Sequence, residues 1–253
     1  MSNNELSNKI ALVTGGADGI GEGIVRTFCK NGAEVIIADI QDEKGQALAA
    51  ELGDSVSYMN LDVTDPNSWD ALLASLATQP GRLDILVNNA GGGGYGNFEE
   101  LDFEEWRKIM SLNLDSVFLG CNKSAALLRA DGGGSIINIS STNANRAWAL
   151  FAGYCAAKAG MTMLSKCVAQ RFLETDAKVR CNTVHPGPIQ TPNFERLTSA
   201  PGAEALMEDW QKNNPFTELG TVEDIGEVVA FLASDRASYI NASEFVAAGG
   251  TLL

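Results

Sequence analysis

The residues of this chain best placed to do chemistry are Tyr154 and Lys158, in the stretch Gly153-Tyr154-Cys155-Ala156-Ala157-Lys158, with Ser141 thirteen residues before the tyrosine. On a helix, residues four apart share a face. The lysine ammonium then sits beside the phenol, favours the phenolate and lowers the tyrosine pKa from its ordinary value of about 10. A tyrosine tuned in this way exchanges a proton with an alcohol or ketone near neutral pH. The serine can come from another element and hold the same oxygen. A solvated helix face also produces Tyr-x-x-x-Lys by chance, so the pair gains meaning only with a ligand site upstream.

Such a site is readable near the N-terminus. Lys9-Ile10-Ala11-Leu12-Val13 is a short apolar run that predicts a buried strand, and it leads into Thr14-Gly15-Gly16-Ala17-Asp18-Gly19-Ile20-Gly21. Ile20, Ile24, Val25 and Phe28 then recur at helical spacing until Asn31-Gly32, a stop signal. Strand, glycine turn and helix start together form a pyrophosphate site. Glycines let the backbone approach the ligand, and the helix end presents free N–H groups. The spacing of Gly15, Gly19 and Gly21 is not the common G-x-G-x-x-G. An isolated glycine cluster is equally well a plain tight turn.

The second strand, Glu34-Val35-Ile36-Ile37-Ala38, ends at Asp39, about 20 residues past the glycine turn, where an acid that binds the adenosine ribose belongs. A carboxylate there accepts from a 2′-hydroxyl and repels a 2′-phosphate. Asp18 adds negative charge, and Ile40 stands where a basic residue could have helped a phosphate. The expected cofactor is NAD(H) over NADP(H). An ordinary turn-forming aspartate is the other reading of Asp39.

With these residues in view, the chain resembles the short-chain dehydrogenases/reductases over essentially its whole length. The matching segments are Thr14 to Gly21, Asp62-Val63, Asn88-Asn89-Ala90-Gly91, Asn113, Ser141, Tyr154 with Lys158, and Pro186-Gly187, in the family's order. The resemblance implies that Tyr154 is the general acid/base, that Lys158 tunes it and holds the nicotinamide ribose, and that Ser141 orients the substrate oxygen. It implies that Asn113 holds a water on a proton relay, and that Asp62 and Val63 contact adenine. Asn89, Ala90 and Gly91 would line the cofactor, and Ile189 and Thr191, after Pro186-Gly187, would clamp the carboxamide. A homotetramer is implied in the same way. Gly92, Gly93 and Gly94 depart from the family pattern, as do Cys181 and Ala248. The glycines predict a permissive loop over the substrate.

The elements alternate between β and α, which predicts a Rossmann-type α/β fold: one doubly wound parallel sheet with helices on both faces, spanning 1–253 as a single domain. Strands are expected near 10–14, 34–38, 56–60, 84–88, 135–139, 180–184 and 244–247. Helices are expected near 20–31, 42–52, 66–78, 103–129, 153–174 and 222–233. Ligands in such sheets bind at the carboxyl ends of the strands. There the reading places Gly15, Asp39, Asp62, Asn89, Ser141 and Pro186. The irregular segment 190–217, with Phe194, Leu197, Leu206, Met207 and Trp210, reads as a substrate lid or as a surface excursion packed on a neighbouring subunit. Tyr95, Trp148, Phe151 and the lid suggest a broad apolar pocket with Arg146 as its one cation. The aromatics could equally serve core or interface.

The whole-chain balance narrows the partners. A net charge of −14 over 253 residues argues against nucleic acid and anionic membrane surfaces. No apolar run approaches the roughly 20 residues of a membrane span, and the N-terminus has no secretory pattern. Cysteines at 29, 121, 155, 167 and 181 form an odd, irregular set, which predicts reduced thiols in a cytoplasm. The only histidine, His185, reads as a packed loop residue, and no Cys/His spacing suits zinc, so no metal is expected. The expected substrate is a hydrophobic secondary alcohol or ketone, cyclic or hydroxysteroid-like. The alternatives are a 3-oxoacyl-thioester reductase and a catalytically silent NAD-binding sensor or scaffold.

Overall fold

A computed structural model describes residues 4–175, 177–199, 208 and 218–252. Seven parallel strands form one sheet: β1 (Ile10–Thr14), β2 (Glu34–Asp39), β3 (Val56–Asn60), β4 (Ile85–Asn88), β5 (Gly134–Ile139), β6 (Val179–Pro186) and β7 (Glu244–Ala247). Their order across the sheet is β3-β2-β1-β4-β5-β6-β7. The order reverses between β1 and β4, which opens a crevice at their carboxyl ends.

Period-2 alternation along buried strands divides the core into two. Ala11, Val13, Val35, Ile37, Val87 and Ile137 face one side of the sheet, against Ile24, Val25 and Phe28 of α1 (Gly19–Lys30) and Ile225 and Val229 of α8 (Val222–Ala233). Ile10, Leu12, Ile36, Leu86 and Ile136 face the other side. There they meet Trp69 of α3 (Pro66–Thr78), Val117 and Leu128 of α5 (Ser116–Arg129), and Met161 and Phe172 of α6 (Ala152–Glu174). With both faces covered, the strands read as nearly continuous apolar runs. Each fully buried large side chain contributes about 1.5–3 kcal/mol by leaving water. Further helices are α2 (Asp42–Leu52), α4 (Phe103–Met110) and the short α7 (Pro192–Thr198).

Helix starts follow from their caps. Asp65 accepts from Asn67 N at 2.9 Å with Pro66 in the first turn, and Thr221 and Asp224 form a reciprocal capping box. The expected helix over 103–129 is interrupted. Between α4 and α5, Ser111–Asp115 widens into a π turn. Apolar periodicity runs straight through such a turn, so the sequence pattern hides it. Within the expected lid, Pro192–Thr198 is helical, while Leu206, Met207 and Trp210 lie outside the described residues.

Candidate active site

The crevice is floored by the glycine turn. Gly15 and Gly19 adopt φ of +62° and +56°, where a side chain would be strained. Gly21 is buried beneath the turn, where an added Cβ would collide with the Gly15 carbonyl oxygen. It shapes the turn from behind and does not line the cavity. Thr14 ties the turn to β4: its Oγ1 accepts from the N–H groups of Asn89 and Ala90 at 3.0 and 3.1 Å. Asn89 Nδ2 in turn donates to the carbonyls of Thr14 and Gly15. Sequence reasoning assigned Thr14 no role of its own, because a strand-end threonine carries no distinctive signal.

Two cavities share this cleft. One, of about 380 Å³, runs from Gly15, Asp18 and Gly19 past Asp39, Ile40, Asp62 and Val63 to Asn89, Ala90, Gly91 and Lys158. The other, of about 220 Å³, is bounded by Ser141, Trp148, Phe151, Pro186, Gly187 and Ile189. They meet at Ile20, Gly92, Ser140, Tyr154, Thr191 and Asn193. The structure thus brings most of the expected site residues together. Asn193 and Arg196, from α7, join the first cavity without having been singled out in the sequence.

Three expected residues sit differently. Tyr95 is 55% exposed and is not among the lining residues; it packs edge-on against Phe151 with ring centres 5.7 Å apart. Asn113 is fully buried on the π turn, which directs it at the glycine loop. Its Oδ1 accepts from Gly92 N at 2.9 Å, and its Nδ2 donates to the Gly92 and Ile109 carbonyls at 3.1 and 3.0 Å. His185, expected in a loop, lies in β6 with no exposure. Gly92, Gly93 and Gly94 all have positive φ, so this loop's path requires glycine.

At the first cavity's far end, Asp39 is almost fully buried. Its carboxylate accepts from Ala17 N and Gln41 N, both at 3.0 Å. Asp18 caps α1 through Gly19 N at 2.8 Å and holds Lys44 Nζ at 2.6 Å. These features fit a dinucleotide: glycines leave room for a backbone-bound pyrophosphate at a helix end, and a buried carboxylate faces the ribose position.

Where the two cavities join, the electrostatics differ from the sequence expectation. Burial pushes the Tyr154 phenol up to about 12, and its hydrogen-bond partner Ser141 pulls it part of the way back. Burial also lowers Lys158 to about 7. The expected lowering of the tyrosine by the lysine is therefore overturned in the protein alone. Desolvation disfavours the charged form of each group, so each weakens its effect on the other. Lys158 Nζ is 2.8 Å from the Ile139 carbonyl, to which it donates.

A family model described as enoyl-(acyl carrier protein) reductase matches residues 15–251. The 3-alpha-(or 20-beta)-hydroxysteroid dehydrogenase of Mycobacterium tuberculosis is 39% identical, over 98% of this chain and 90% of that protein. The chain belongs to the short-chain dehydrogenase/reductase family. A second relative, the 3-beta-hydroxysteroid dehydrogenase of Comamonas testosteroni, is 36% identical over 95% of this chain and 94% of that protein. A crystal structure of a protein provisionally named a gluconate dehydrogenase, from Agrobacterium tumefaciens, superposes with a TM-score of 0.92 at 26% identity, covering 100% of this chain and 99% of that one. As a member of this family, the protein is an oxidoreductase acting on CH–OH groups with a nicotinamide cofactor. Among the described residues, no helix is long and apolar enough to cross a membrane.

Proposed function

We propose that the protein is an NAD-dependent dehydrogenase of hydrophobic secondary alcohols, cyclic or hydroxysteroid-like, working reversibly on the corresponding ketones. The observation that carries this reading is the meeting of two cavities at Tyr154, one built for a dinucleotide and one walled by Trp148, Phe151, Pro188, Ile189, Phe194 and Leu197. An apolar wall selects by shape and buried area. The names of the hydroxysteroid dehydrogenase relatives point the same way.

In this reading a nicotinamide cofactor held along Gly15, Asp39, Asn89 and Lys158 would supply the hydride acceptor or donor and, in its oxidised form, a positive charge. Tyr154 removes the hydroxyl proton in oxidation and supplies it in reduction. Ser141 holds the same oxygen. Lys158, between Tyr154 and the Ile139 carbonyl, holds the ribose and passes the proton on; a lysine near neutrality can do both. Asn113 keeps the Gly92 loop in place beside them and serves the water of the relay. Asp62 and Val63 take the adenine, and Ile189 and Thr191 take the carboxamide. Asp39 selects NAD(H), because a 2′-phosphate would meet a buried carboxylate while Lys44 is held by Asp18. We also expect a homotetramer, supported by exposed Phe118, Met163, Leu173 and Val246 on α5, α6 and β7. Five free cysteines fit a cytoplasmic setting.

The test is NADH formation from NAD+ across hydroxysteroids, cyclohexanols and short secondary alcohols. Turnover of one bulky cyclic class supports the reading, and no turnover of any would overturn it. A 3-oxoacyl-thioester reductase is a second reading: the description of the matching family model names an acyl-carrier substrate, although the reaction it names reduces a C=C bond and not a ketone. The net charge of −14 opposes docking of an acidic carrier, and NADPH-dependent reduction of an oxoacyl thioester would favour that reading.

A further inference from the structure

We propose that His185 is a positioning residue for Ser141, its ring backed on the far side by Glu244, which Lys166 holds in place. The proposal rests on the reading of Ser141 as the residue that holds the reacting oxygen. Ser141 follows β5 and opens a single 3₁₀ turn, Thr142–Ala144; its hydroxyl accepts from Asn143 N at 3.1 Å. Its carbonyl accepts from Ala144 N at 3.0 Å, and His185 Nδ1 lies 3.0 Å from the same oxygen. A carbonyl only accepts, so Nδ1 carries the hydrogen. The parallel register that pairs Ile139 with Val184 brings the ring beneath the serine.

The ring's other nitrogen completes the device. Nε2 is buried and makes no hydrogen bond, yet it faces Glu244 Oε2 at 3.4 Å. Glu244 Oε1 is held by Lys166 Nζ at 2.7 Å, and the carboxylate also bonds Asn145 at the end of the serine's turn. Lys166 belongs to α6, about two turns beyond Lys158. The imidazole is therefore wedged between the turn bearing Ser141 and a carboxylate anchored to the helix bearing Tyr154. This linkage sets the separation of the serine and tyrosine hydroxyls. Without His185, the Ser141 carbonyl keeps its bond to Ala144, so the loss falls on orientation of the serine.

The test is a double-mutant cycle on alcohol oxidation with His185→Leu, Ser141→Ala and the double variant. H185L is expected to lower kcat by about 10- to 100-fold through misplacement, with alcohol KM and nucleotide Kd within about twofold. On the S141A background it should cost no more than about twofold, because the two act as a unit. His185→Asn returns a donor to the Nδ1 position and should recover most of kcat. Wild-type kcat in H185L, the full loss recurring on S141A, or no rescue by H185N overturns the proposal. Wild-type kcat in S141A would overturn the reading of Ser141 and this proposal with it, whereas a normal S141A loss with a silent H185L overturns this proposal alone. If H185L does not fold, Glu244→Gln carries the cycle: a kcat loss that vanishes on S141A supports the linkage, and one that persists in full, or no loss, overturns it.

Discussion

Lys158 Nζ lies 5.5 Å from the centre of the Tyr154 ring, while its hydrogen bond runs to the Ile139 carbonyl at the end of β5. The lysine is thus tied to the sheet, facing both cavities' common wall. Its field on the phenol is weak in the protein alone, since burial holds both groups toward neutrality.

Replacing Tyr154 by Phe removes the proton-exchanging oxygen and little else. Turnover of any alcohol substrate should fall by at least about 1,000-fold, the scale of a positioned acid–base group. Nucleotide affinity, read by NADH fluorescence titration, should stay within about twofold. Retained activity would reject the tyrosine mechanism, and lost nucleotide binding would show a structural fault instead.

The pH dependence has a direction. With a pKa of about 12, the Tyr154 phenol is protonated at neutral pH, ready to act as an acid and not as a base. For alcohol oxidation, kcat/KM should therefore rise with pH, by up to about tenfold per unit, while ketone reduction stays level through neutrality. Profiles of kcat/KM in the two directions check this. An oxidation profile flat from pH 6 to 9, taken as about the ordinary working range of such enzymes, would reject it.

Lys158 also makes a stability prediction. Its folded pKa of about 7 lies below the ordinary 10.5, so between those values the unfolded chain binds more protons. Stability contributed by this group rises with pH across that window and is lowest at and below about pH 7. Lys158→Met should raise the Tm of the ligand-free protein most at pH 7 or below. The gain should be roughly 2–4 °C per kcal/mol recovered and should shrink towards pH 10. Melting curves across pH decide it; a gain that grew with pH would contradict the sign.

Cofactor choice should respond to Asp39→Asn. The amide keeps an oxygen for the Ala17 N–H at 3.0 Å but loses the charge. The ratio of kcat/KM for NADP+ to that for NAD+ should increase about tenfold or more, the effect of removing one close like-charge repulsion worth about 1.4 kcal/mol. An unchanged ratio would move the discrimination to Asp18 or elsewhere.

On the substrate side, Trp148→Ala should raise KM for bulky cyclic alcohols by about tenfold and leave short secondary alcohols nearly unaffected, since lost apolar contacts cost about 1–3 kcal/mol. Kinetics on the two classes test it. Equal effects on both would make Trp148 a folding residue.

Much of this protein was legible in its residues one segment at a time. The buried run at Ile10–Thr14 and the partly exposed Val56–Asn60 are strands at the expected bounds, and Pro66 and the Thr221 box open helices where expected. The glycine turn, Asp39 and the Tyr154–Lys158 spacing could be read because each depends on neighbours within one turn or one strand. What lay beyond reach depends on how distant segments meet. Asn113 meets Gly92 from a π turn, and helical periodicity cannot register one extra residue. His185 meets Ser141, 44 positions away, through the β5–β6 register. Tyr95 falls behind Phe151, and Gly21 falls beneath Gly15. The charge states of Tyr154 and Lys158 follow the same rule. Spacing along a helix sets which groups are neighbours, but desolvation is a sum over every atom the fold packs around them, so only the tertiary structure could decide which way each pKa moves.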